Sequence, residues 1–224
     1  MYDIIFISYN EPNADKNFAR LTSRFPLAKR VDGVKGIHQA HIAAAKKSFT
    51  RMFWVVDGDA EVLDTFNFDY DPEDLEMVYV WRSRNPINGL EYGYGGVKLL
   101  PKPLTLKIDV NSVDMTMSIS DKFKAMEEVS NNTAFNTDAF STWRSAFREC
   151  CKLAVINNEE SLARLHFWCQ LNKHAPYGAY AYMGAIQGSA YGKKNASSPE
   201  ALAKINDFTW LEVRWLAEKS QLSL

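Results

Sequence analysis

The segment Phe53-Trp54-Val55-Val56-Asp57-Gly58-Asp59 constrains this chain most. Four large apolar residues that end abruptly in acid read as a buried strand. Side chains alternate along a strand, so Asp57 and Asp59 point the same way where it runs out. Gly58 between them lets backbone approach a ligand closely. Two carboxylates at the end of a buried strand suit a hard divalent cation, which commonly carries a diphosphate. Asp and Gly are also turn residues, so the tripeptide alone also fits a plain polar turn.

The flanking pattern places that strand. Tyr2 to Ile7 reads as a first buried strand, followed by the polar loop Ser8 to Pro12. Ala14 to Arg24 has helical spacing, Ala28 to Val31 suits a short strand closed by Asp32-Gly33, and Gly36 to Phe49 is an alanine-rich helix. Strand, helix, strand, helix, strand implies right-handed βαβ units and a mostly parallel sheet flanked by helices. Ligands of such sheets sit beyond the carboxyl ends of the strands. Ser8 to Glu11, Asp32-Gly33 and Asp57 to Asp59 would all lie there. Further strands are expected at Met77 to Arg82 and Val97 to Pro101, with looser alternation at Asp114 to Ile119. Asn85 to Gly96 reads as irregular. Helices are expected over Asp138 to Ile156, Ser161 to Leu171, from Ser198-Pro199 onward, and over Asp207 to Lys219. The expectation is a single α/β domain over 1–224, with a nucleotide-sugar-binding part at 1–120 and a mainly helical acceptor-side part at 121–224.

Composition narrows the class. A net charge of −1 argues against tight nonspecific binding to nucleic acid, which needs many phosphate contacts. Cys150, Cys151 and Cys169 fit no zinc spacing and no ordinary disulfide pair, so they read as reduced core thiols, as in the cytoplasm. No apolar run has transmembrane length, so no membrane partner is expected, nor is an obligate protein partner evident.

Gly36 opens the helix before the Asp-x-Asp strand, and helix starts favour anions. His38 and His41, three apart, share a face near that end and suit a base or ribose as well as plain packing. Asp138 sits where a helix starts, which suits both an N-cap and a general base. Asp114 is a second candidate base. Arg144 and Arg148, four apart, suit a phosphate or a pairing with acids such as Glu149.

Taken in order, FISYNEP, VDG, GIHQAHIAAA and FWVVDGDAEV resemble the nucleotide-binding half of GT-A fold glycosyltransferases, over about residues 2–62. Further segments resemble a group of tailed-phage glycosyltransferase-like proteins: YGYGGVKLLPK (92–102), VDMTMSIS (113–120), NTDAFSTWRSAFREC (136–150), YGKKN (191–195) and INDFTWL (205–211). The resemblance implies a Rossmann-like sheet, a UDP-sugar donor and Mn²⁺ or Mg²⁺. It implies an acceptor hydroxyl on a hydroxymethylated or already glycosylated pyrimidine in phage DNA, within the host cytoplasm. By the same resemblance Ser8, Tyr9 and Glu11 hold the nucleoside, with Asp32 near the uracil or ribose. Asp57 faces the ribose or donor sugar and is a candidate for the metal, which Asp59 binds. Gly95 and Gly96 would let backbone approach the donor sugar. Either His174, as a late metal ligand, or Lys193 and Lys194, on the diphosphate, would complete the site.

Two rivals remain at this level. A nucleotidyltransferase shares sheet topology and metal-bound carboxylates, but the loop Ser8 to Pro12 lacks its glycine-rich basic signature. A nucleotide-binding domain without turnover would keep the same aspartates.

Overall fold

A computed structural model describes residues 1–93, 95–110 and 115–219. They fall into two compact units: Met1–Asn85 with Glu91–Ala134, and Pro86–Leu90 with Phe135–Leu224.

The first unit is built on an eight-stranded sheet. It begins β1 (Asp3–Ser8), α1 (Ala14–Arg24), β2 (Lys29–Asp32), α2 (Ile37–Lys47) and β3 (Met52–Asp57). It continues with β4 (Ala60–Val62), β5 (Val78–Arg84), β6 (Glu91–Tyr92), β7 (Val97–Pro101), the short α3 (Lys102–Thr105) and β8 (Phe123–Thr133). The sheet runs β2-β1-β3-β7-β5-β8-β4, with β6 on β5. The expected parallel pairings hold for β2-β1-β3; β5 and β8 also pair in parallel, while β7 inserts antiparallel to both β3 and β5. Asp114 and the start of its segment lie outside the described residues; Met115 to Ile119 form turns rather than a strand.

Period-two alternation decides what each face buries. Ile4, Phe6, Trp54, Val56 and Leu99 join Ala14 and Leu21 of α1 and the aromatics Phe66 and Phe68. Ile5, Phe53, Val55 and Leu100 join Ala44 and Ala45 of α2. Continuing that second series by two residues brings Asp57 onto the α2 face. Asp3 anchors the start of β1, taking a 2.6 Å ion pair from Lys29 and bonds from the Phe49 and Thr50 amides.

The second unit carries α4 (Ala139–Ile156), α5 (Glu159–Trp168), α6 (Gly178–Asn195), α7 (Pro199–Ala203), a 3₁₀ turn (Lys204–Asn206) and α8 (Phe208–Lys219). Asn158 opens α5 with a capping box, and the Ser198 hydroxyl accepts from the Ala201 amide at the start of α7. Helix α6 is rich in alanine, glycine and tyrosine. Its glycines have a packing reason. A Cβ at Gly184, Gly188 or Gly192 would run into the carbonyl oxygens of Trp143, Phe147 and Cys151 respectively. Four-residue spacing aligns these glycines on one side of α6, so α4 lies against its bare backbone. Cys150 and Cys151 are buried and Cys169 half-buried, and all three are free thiols. Among the described residues no helix is long and apolar enough to cross a membrane.

Candidate functional site at the carboxyl ends of β1 and β3

The parallel strands β1 and β3 end side by side, Ile7 being registered with Asp57. The loop after β1 folds back so that Glu11 Oε2 accepts a 2.6 Å bond from the Tyr9 amide. That carboxylate lies over Gly58: a Cβ there would stand 2.6 Å from Glu11 Oε2 and 3.2 Å from the Ile7 carbonyl oxygen. Gly58 therefore admits a neighbouring side chain of this same chain. Asn17 of α1 pins the turn by donating to the Gly58 carbonyl at 3.0 Å, and the Asp57 amide bonds Gly96 O at 2.9 Å.

Three carboxylates are thus gathered from two segments. Burial first, then the charges of Asp57 and Glu11, push the Asp59 carboxyl up to about 7. Burial also pushes Asp57 up, and the Lys98 ammonium pulls it back. Lys98 was not among the residues singled out from sequence. It contacts both oxygens of Asp57, at 2.8 and 2.9 Å. Its side chain is 5% exposed against 34% for that of Asp57. Its one sequence signal is a lone charge inside the apolar run Val97 to Pro101. Gly95, at φ 72°, leaves room for it, since a Cβ there would be 3.2 Å from Lys98 Cε. Gly96 makes room for Asn131 in the same way, at 2.7 Å from Nδ2. Both glycines thus already face protein groups.

A second cluster lies where β1 meets β2. The Ser8 hydroxyl, buried, donates to Asp32 at 2.5 Å. Arg30 reaches Ser8 at 2.8 Å, Asp32 at 3.1 Å and Asp15 at 2.6 Å, over the rings of Phe6 and Phe18. Ser8, and then Arg30, hold the Asp32 carboxyl below the usual range. Asp32 itself is exposed, and Tyr9 is 45% exposed.

At the start of α2, Gly36 has φ 95°, and no side chain caps the helix. His41 is 2% exposed and belongs to the core. Burial, then the Lys98 charge, depress its pKa to about 3, so the ring is neutral. The contact of Nδ1 with Ile37 O at 2.8 Å puts the ring proton on Nδ1. Nε2 of His41 and Nε2 of half-buried His38 are both buried without a hydrogen-bond partner in the protein.

The remaining candidates belong to the helical unit. Asp138 is the N-cap of α4: Oδ1 accepts from the Ser141 amide at 2.8 Å and Oδ2 from the Ser141 hydroxyl at 2.7 Å. Burial raises its carboxyl, but the Ser141 bonds outweigh that and leave it below the usual range. A carboxylate so occupied is a weak base. His174 is exposed in a turn where its amide bonds Asn172 Oδ1, and Lys193 and Lys194 are exposed in the last turn of α6. Arg144 lies over the rings of Phe140 and Phe208, and Arg148 bonds Asn206 at 3.0 Å.

The donor set fits a hard cation in kind: Asp59 and Glu11 offer oxygens, and burial together with the neighbouring Asp57 and Glu11 charges raises the Asp59 carboxyl, which a cation there would relieve. Among the described residues no three acidic, histidine or cysteine groups stand close enough to hold a metal alone. A cation there would need oxygens beyond those the described residues supply.

The first unit is thus an α/β domain that carries, in order, the series implied by the sequence resemblance. A polar loop follows β1, an acid follows β2, and a glycine-led helix leads into the Asp-x-Asp strand. No family model and no curated protein matches the chain. Among solved structures it is similar to HddC from Yersinia pseudotuberculosis at 15% identity and TM-score 0.37, over 56% of this chain and 90% of that one. It is also similar to the mannosyltransferase PcManGT from Pyrobaculum calidifontis, in complex with GDP-Man and Mn²⁺. There the identity is 13% and the TM-score 0.46, over 97% of this chain and 79% of that one. Neither likeness is close enough to carry a function across.

Proposed function

We propose that the chain is a metal-dependent glycosyltransferase that moves a sugar from a nucleoside diphosphate sugar, UDP-linked, to a hydroxyl acceptor. The observation that carries this reading is the gathering of Asp57, Asp59 and Glu11 where β1 and β3 end side by side, with Glu11 lying over Gly58. Such a site gains from a divalent cation and from the diphosphate that accompanies it.

In this reading Asp59 and Glu11 would hold Mn²⁺ or Mg²⁺, and such an ion would supply positive charge for the departing diphosphate. Ser8, Tyr9 and Asp32 line the nucleoside side, and the start of α2 at Gly36, which no side chain caps, offers amides to an anion. The acceptor oxygen bonds to the anomeric carbon, the bond from that carbon to the diphosphate oxygen breaks, and the hydroxyl proton leaves to a base. Asp114 remains the proposed base, since the oxygens of Asp138 are committed to capping α4. The acceptor is proposed to be a hydroxymethylated or glycosylated pyrimidine in DNA, on the strength of the C-terminal segments that resemble phage proteins. Base extrusion needs only a local site, which a net charge of −1 permits.

Calorimetry with UDP and UDP-glucose, with and without Mn²⁺, tests the donor half. Metal-dependent binding that Asp59→Ala abolishes is expected. Absence of UDP binding under every metal condition rules out the UDP donor. Transfer of labelled glucose to an oligonucleotide that contains 5-hydroxymethylcytosine tests the acceptor half.

A further inference from the structure

Lys98 is the second residue of β7, opposite Val55, between the fully buried Val97 and Leu99. A lysine buried there needs a partner. Among the described residues, the only carboxylate within 4 Å of its ammonium is Asp57. The backbone is shaped to this pairing: Gly95 clears the lysine stem, and Gly96 O fixes the Asp57 amide. The first aspartate of the Asp-x-Asp segment therefore enters the site with both oxygens engaged.

We propose that Lys98 is a positioning residue that withholds Asp57 from a bare divalent cation and so makes cation binding depend on an accompanying diphosphate. The inference rests on the nucleotide-sugar reading above. A hard cation wants about six oxygens, and Mg²⁺-type sites often take one or two carboxylates plus substrate phosphates. With Asp57 engaged, the described residues at this site offer Asp59 and Glu11. The buried ammonium repels a bare cation and attracts a diphosphate, so the two arrive favourably only together. Specificity then comes partly from a repulsive element built into the site.

The test uses Mn²⁺ alone, followed by electron paramagnetic resonance of the free ion, with no nucleotide present. Lys98→Met frees Asp57 and removes the repulsion. Mn²⁺ affinity is expected to rise about tenfold or more, the scale on which changes around metal ligands act. A Lys98→Met protein that keeps its fold by circular dichroism but binds Mn²⁺ no more tightly than the wild type overturns the proposal. Should the lone Asp57 charge prevent folding, the charge-balanced pair Lys98→Met with Asp57→Asn decides. Affinity within about threefold of the wild type supports the proposal, and a loss of about tenfold or more makes Asp57 a ligand and overturns it. Because no nucleotide enters this assay, failure of UDP-sugar to bind the wild type counts against the enzymatic reading separately.

Discussion

At the scale of single residues, the site is made by what lies close to glycine. Gly58→Ala is expected to drive the Glu11 carboxylate off the turn and to press on Ile7 O. We expect a loss of about 1–3 kcal/mol in urea unfolding and weaker Mn²⁺ binding by calorimetry. His41 supplies a pH prediction. Its folded pKa, about 3, lies below the ordinary 6.5. Between those values the unfolded chain binds a proton that the folded chain refuses, so stability falls as pH drops from about 6.5 toward 3. Urea midpoints measured across that range should fall, and His41→Gln should flatten the trend. The aspartates were legible in sequence because an apolar run ending in acid is a local pattern. Lys98 was not, because its meaning depends on β7 pairing antiparallel with β3, a contact 41 residues away in the chain.

At the scale of elements, legibility followed periodicity. Helix α1 came out at the expected ends, Ala14 and Arg24, and β1, α2 and β3 within about two residues. The short β4, β6 and α3 escaped, and so did two longer elements. Strand β8 carries Lys124, Glu127 and Glu128 and leaves most of residues 123 to 129 exposed, so no apolar alternation marks it. Helix α6 has four glycines inside its span, each costing about 1 kcal/mol of propensity against alanine. Packing against α4 repays that cost, and packing is invisible to propensity. Gly188→Ala should therefore destabilise even though alanine is the better helix former. A Cβ there meets the Phe147 carbonyl, and we expect a loss of about 1–3 kcal/mol or more, read as a lower urea midpoint at unchanged slope.

At the scale of the whole molecule, chemistry-bearing residues divide between two units. The acidic site, Lys98 and the Ser8–Arg30–Asp32 cluster belong to the sheet unit; Asp138, the arginine pair and the late lysines belong to the helical one. The division also gives the helical unit a built-in clock. Two of its thiols are sealed against the glycine-lined helix pair and the third is half-buried. A slow alkylating reagent should therefore modify Cys169 first, then Cys150 and Cys151 together, at a rate set by how often the unit opens. Mass spectrometry over time would show one adduct and then three, with little of the two-adduct species. A steady accumulation of that species would mean that the helices separate piecemeal. Labelling of this kind would time the opening of one half of the protein without any probe being added to it.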